Sequence, residues 1–189
     1  MVAYRAVRAM APEAPIEQTE TGLVPAAEGW FVLNAREGSW WHRDGTGDVL
    51  SFEGRTDFPQ VGINIFVLGP AEPMSMYHWE ADQEDFLVLS GQALLIVEGE
   101  ERPLAQWDLV HCPARTSHTI VGAGDGPCAV LAIGAREHQT PEDWGGGYPV
   151  DEVALRHDAG VERETITGAY ARFPEYVPAR YREGWLPGS

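Results

Sequence analysis

From Val61 to Arg136 the chain is a series of short apolar runs, each closed within a few residues by Gly, Pro or a polar pair. VGINIFVLGP is β-branched and ends on Gly-Pro, and EDFLVL, QALLIVE, ERPL, WDLVHC, SHTIV and CAVLAIG follow it. Strands pack their apolar residues in runs of this length, whereas a helix needs a longer 3.6-residue period. Turn signals recurring about every 8 to 12 residues, with no helical period between them, predict an all-β sandwich or barrel rather than βαβ units. Ser90-Gly91 and Gly99-Glu100 are read as two-residue hairpin turns.

Alternate residues of a strand share a face. Read as a strand, MSMYHWE therefore places Met76, His78 and Glu80 on one wall and Tyr77 and Trp79 on the other, and in the next run Glu84 faces with Phe86 and Val88. His118 arrives on a later strand, behind Pro113.

The flanks read differently. Residues 1–60 form an N-terminal arm: a loose Ala-, Pro- and Glu-rich stretch over 1–28, then WFVLN and DVLSF as a hairpin or two edge strands. Trp30, Trp40 and Trp41 are large enough to anchor that arm on a barrel wall or a second subunit. Residues 61–136 are the barrel, and 137–189 are a C-terminal extension of loop with one short helix in PVDEVALRHDAG, bracketed by Pro149 and Gly160. Leu87 and Leu89 lie on the strand face opposite Phe86 and Val88, so both faces need cover, and a homodimer is expected.

Charge and composition exclude several functions. The net charge of −16 disfavours nucleic acid and anionic membrane surfaces as partners. All 13 basic residues are Arg. Without lysine there is no Schiff-base chemistry and no lysine-dependent phosphate loop. Cys112 and Cys128 are too far apart for a CxxC pair and read as buried thiols. The N-terminus has no signal-peptide apolar core and no run is long enough for a transmembrane helix, so a cytoplasmic protein is expected. His42, His138 and His157 read as solvated. His111 faces either the cavity or the outer sheet, and Arg115 is expected on an exposed loop.

Two spaced patterns in the centre resemble the motifs of the cupins, a family with a small jelly-roll barrel, the double-stranded β-helix. The first has Gly, then His-x-His, a Glu after three or four residues, and a Gly six residues beyond; here Gly69, His78, Glu80, Glu84 and Gly91 stand at those places. The second has Gly, Pro-x-Gly, His and Asn; here Trp107, Pro113, Arg115, His118 and Gly122 keep the spacing while three of the anchors differ. The resemblance covers about residues 60 to 135. It implies a metal site at His78, Glu84 and His118, with Glu80 in place of the second histidine.

Two imidazoles and two carboxylates in one enclosed space are costly unless paired, since a buried ion loses on the order of several kcal/mol. One divalent cation (Fe, Mn, Ni or Zn) offsets that cost and suits this donor set. Two alternatives stand beside it. The carboxylates are hydrated or share a proton with no metal bound, or Glu80 is not a ligand but a proton-transfer group. The functional expectation is a metal-dependent cupin acting on a small organic substrate by oxygenase-like or isomerase-like chemistry, with Glu80 as the candidate catalytic residue. The alternative is a non-catalytic small-ligand or metal-binding cupin.

Overall fold

Eight residues of VGINIFVL form β5 (Val61–Leu68), flanked by β4 (Gly47–Ser51) and β12 (Cys128–Ala135). Around them a seven-stranded antiparallel sheet is completed by β3 (Ser39–Arg43), β7 (Glu84–Ser90), β10 (Leu109–Cys112) and β14 (Val177–Pro178), in the order β10-β7-β12-β5-β4-β3-β14. A three-stranded sheet has β8 (Gln92–Val97) between β11 (His118–Ala123) and β9 (Glu100–Ala105). Two small ribbons pair β1 (Ile16–Gln18) with β2 (Leu23–Pro25) and β6 (Trp79–Glu80) with β13 (Gly146–Gly147). One short helix, α1 (Glu152–Arg156), is capped by the Asp151 carboxylate, which accepts from the Ala154 N–H. This computed structural model describes residues 11–140 and 142–188. The first ten residues of the expected arm lie outside that range. Among the described residues no helix is long and apolar enough to cross a membrane.

The layers follow from strand parity. Phe66, Leu68, Phe86, Cys128 and Val130 point inward from the large sheet and meet Ala93, Leu95, Val97 and Ile120 of the small one. The alternate residues Ile65, Val67, Leu89, Ala129 and Leu131 point outward, and Trp40, Leu50, Tyr181 and Trp185 cover them. Leu89 is thus covered within the chain itself. On the far side of the small sheet, Ala154 of α1 and Ala159 just beyond it pack with Ile96, Val121 and Tyr77. The fold is all-β, as its strand pattern predicts, with the jelly-roll layering that the cupin resemblance implies.

Several local expectations differ. WFVLN forms no regular strand and Trp30 is half exposed, while Trp40 is fully buried and Trp41 partly so. Ser90-Gly91 is not a hairpin: Gly91, at φ 76°, carries the chain from the large sheet into the small one. The hairpin between β8 and β9 turns on Glu98 and Gly99, φ 48° and 74°, one residue earlier than the pattern suggested. Of MSMYHWE only Trp79–Glu80 is strand, although His78 forms an antiparallel bridge to His118.

Candidate metal centre

Two adjacent inward columns of the large sheet change character partway along. Leu68 faces Cys128 and Phe66 faces Val130, filling one end of the barrel. Beyond them Asn64 faces Ala132 and Gly62 faces Gly134, side chains too small to fill the other end. The space left is a cavity of about 390 Å³ lined by His78, Glu80 and Glu84 among others.

His78 and His118 are brought together by their own backbones, which exchange hydrogen bonds at 3.1 and 2.8 Å. Each imidazole donates from Nδ1 to a carbonyl two residues earlier, His78 to Met76 O at 2.8 Å and His118 to Thr116 O at 2.9 Å. A carbonyl only accepts, so both Nδ1 atoms carry the proton and both Nε2 atoms present lone pairs. Burial, reinforced by the neighbouring His118, pushes His78 down to about 3, and burial also lowers His118. The neutral rings aim at one carboxylate oxygen, Glu84 Oε2, at 3.6 Å from His78 Nε2 and 3.3 Å from His118 Nε2. His118 Nε2 is buried with no hydrogen-bond partner.

His78, Glu84 and His118 each bring a donor atom within 4.8 Å of the other two. Three acceptors converge where one carboxyl proton can satisfy at most one imidazole, so the residues fit a divalent cation well. Glu80 stands at the edge. Its Oε1 is 3.7 Å from His78 Nε2, while Oε2 accepts from Gln139 Nε2 at 3.2 Å. Burial raises Glu84, with the Glu80 charge adding to it, and burial raises Glu80 against the opposing bond from Gln139.

The remaining histidines lie elsewhere. His111 is exposed and pairs with Asp85 at 2.7 Å, so its outer-sheet alternative is the one observed. His42 bridges Asp44 and Asp48 at 3.0 and 3.1 Å, His138 sits on Asp82 at 2.6 Å, and His157 on Glu101 at 2.9 Å. They are surface residues, but each has a carboxylate partner. Arg115 is exposed, with its guanidinium 5.1 Å from the Trp79 ring centre. Cys112 and Cys128 are buried free thiols, raised by burial to about 12 and 11.

The sequence reading missed the wall supplied by the C-terminal extension. Trp144, Tyr148, Tyr170 and Tyr176 line the cavity, and the rings of Trp144 and Tyr148 lie 6.0 Å from His78. The signal was the run WGGGY. A Cβ on Gly146 would lie 2.2 Å from the Trp144 ring and 2.5 Å from Trp79 O, so only glycine lets β13 close over β6. Arg43, at the end of β3, and Arg136, just past β12, also reach the cavity.

Comparison with known proteins agrees with this architecture. The family described as cupin domain matches residues 64–134. No curated protein matches the chain. Among solved structures, a provisionally named sugar phosphate isomerase from Acidithiobacillus ferrooxidans is 30% identical over 41% of this chain and 51% of its own, with a TM-score of 0.40. A sugar phosphate isomerase of the cupin superfamily from Silicibacter pomeroyi is 27% identical over 47% and 59%, with a TM-score of 0.43. The chain thus spans only about half to three-fifths of the length of these two relatives. A Cupin 2 conserved barrel domain protein from Salinispora arenicola is 22% identical over 48% of this chain and 76% of that one, with a TM-score of 0.42. The segment that matches the cupin domain runs from the middle of β5 nearly to the end of β12, so this part of the chain carries a cupin domain.

Proposed function

We propose that this cupin is a metal-dependent enzyme acting on a small organic substrate, with His78, Glu84 and His118 as the ligands and Glu80 as the proton-transfer residue. One observation carries the reading: the partnerless lone pair of buried His118 Nε2, aimed with that of His78 at Glu84. A buried acceptor without a donor is costly, and a cation removes that cost for all three groups together. Cupin domains commonly bind a metal, in keeping with this donor set.

A divalent transition metal held there would supply Lewis acidity toward the oxygens of a bound substrate. The protein supplies the rest. The Nδ1 bonds to Met76 and Thr116 fix both rings in the tautomer that leaves Nε2 free. Trp144 and Tyr148 form an aromatic wall beside His78 that limits water in the cavity. Gln139 holds one oxygen of Glu80, and burial lifts that carboxyl toward neutrality, where it can both take and return a proton. A base beside the ligand triad rather than within it favours isomerase-like proton shuttling over oxygenase-like chemistry.

Metal analysis of protein purified without added metal tests the reading. About one transition-metal ion per chain is expected in the wild type and in Glu80→Gln, and none in His118→Ala. Wild-type protein that carries no metal and cannot be loaded would remove the proposal. A metal-replete wild type that turns over no small hydroxy-carbonyl compound would leave a binding protein instead, and turnover unchanged in Glu80→Gln would remove Glu80 as the proton-transfer residue.

A further inference from the structure

Arg43 ends β3 and reaches the same cavity as the histidines and glutamates. Its guanidinium carbon lies 4.5 Å from the Tyr170 ring centre, 4.2 Å from Tyr176 and 5.6 Å from Phe173, and Nε donates to Thr46 Oγ1 at 2.9 Å. Aromatic faces and one hydroxyl hold the group in place but do not neutralise it. Among the described residues no carboxylate pairs with Arg43, and its two terminal nitrogens have no acceptor. The other described arginines without a carboxylate partner are exposed, whereas Arg43 is half-buried. The other arginine of the cavity is committed: Arg136 grips both oxygens of Glu53, at 2.5 and 3.1 Å, and donates to Phe58 O at 3.0 Å.

The local charges point to what is missing. With a divalent cation at the triad, Glu80 and Glu84 are balanced, Arg136 is balanced by Glu53, and Arg43 remains as one uncompensated positive charge. Between it and the triad run Tyr170 and Tyr148, whose ring centres are 6.0 Å apart, the second of them 6.0 Å from His78. Tyr170 is fixed by accepting the Met76 N–H at 3.0 Å. A charged clamp at one end, a flat aromatic side and a metal at the other end define a ligand with an anionic group and a compact organic body.

We propose that Arg43 is the specificity-determining residue of this site and that the ligand is a small organic carboxylate, its anionic end held by the terminal nitrogens of Arg43. The planar fork of arginine matches a carboxylate in two parallel bonds. This inference rests on the proposed small-molecule site, but its recognition element is separate from the metal ligands.

The test uses full-length, metal-analysed protein and matched probes: benzoate against benzamide, 4-hydroxybenzoate against its amide, and propionate against propionamide, titrated by calorimetry. At least one acid is expected to bind about tenfold or more tightly than its amide, as a charge-assisted pair requires. In Arg43→Gln that preference is expected to vanish at unchanged metal content, and Arg43→Lys is expected to restore part of it. Absence of any acid-over-amide preference in the wild type overturns the proposal, and so does a preference that persists in Arg43→Gln, because the metal alone would then be reading the acid. Should Arg43→Gln fail to fold, Arg43→Met, which keeps an apolar stem against the aromatic rings, makes the same comparison with the same two outcomes. Arg43-dependent preference in protein that cannot hold metal would refute the metal centre and leave this inference standing.

Discussion

His118 Nε2 lies 3.3 Å from Glu84 Oε2, on a ring whose other nitrogen is already committed to the Thr116 carbonyl. Both atoms are acceptors when the ring is neutral and the carboxyl ionised, so the pair is repulsive until a cation or proton enters. Thermal stability should therefore respond to metal through this pair. Chelator is expected to lower the Tm of the wild type and to leave that of His118→Ala unchanged. At a thousandfold excess of metal over its Kd the stabilisation is about 4 kcal/mol. Thermal scans with and without chelator measure it, and equal responses in the two proteins would contradict the assignment.

Gly122 stands where the cupin motif has Asn, and its backbone crosses Gly69 too closely for any side chain. A Cβ there would lie 2.1 Å from Gly69 O and 3.0 Å from its carbonyl carbon. The crossing also carries two hydrogen bonds, Ala71 N–H to Gly122 O and Gly122 N–H to Glu72 O, both 2.9 Å. Gly122→Ala is expected to cost about 2–4 kcal/mol by forcing β11 away from the turn at Gly69 to Glu72. Urea denaturation would show it as a lowered midpoint at unchanged slope.

Trp107 and Arg115 replace two motif glycines yet keep the glycine conformation, with φ at 76° and 70°. An L-residue in that region costs about 1–2 kcal/mol, partly offset by the extra freedom glycine has in the unfolded chain. Trp107 is 62% exposed and so loses little packing when removed. Trp107→Gly is expected to raise stability by up to about 1 kcal/mol, whereas Trp107→Ala keeps the strain and should not. Paired denaturation curves of the two variants separate backbone strain from side-chain loss.

His42 is raised above its ordinary value chiefly by its bond to Asp44, with Asp48 adding to the effect against the opposing cost of burial. A raised folded pKa means that the protonated form stabilises the fold. That contribution is complete below the unfolded value of about 6.5 and is lost as pH rises through the folded value. The Tm difference between wild type and His42→Gln is therefore expected to be largest near pH 6 and to shrink toward pH 9. A difference that grows with pH would show the pairing to be misassigned.

The barrel was legible because its information is local. Strand parity put His78, Glu80 and Glu84 on inward positions, and motif spacing put His118 with them. Parity also named Leu89 as needing cover, but could not show that Trp40 and Trp185 of the same chain provide it. The turns were less legible, since a glycine such as Gly91 serves equally to close a hairpin or to pass between sheets.

By itself the sequence determined an all-β fold, and its resemblance to the cupin motifs singled out His78, Glu80, Glu84 and His118, because a two-residue period and motif spacing survive without tertiary information. Only the tertiary structure gathered donor atoms of His78, Glu84 and His118 within 4.8 Å of one another and tied Glu80 to Gln139, from a segment with no readable period. Tertiary structure alone likewise brought Arg43, Tyr148 and Tyr170 to the same cavity. Those contacts span roughly a hundred residues of chain between Arg43 and Tyr148, and long-range closure is decided by how outlying segments bury their aromatic faces on the barrel.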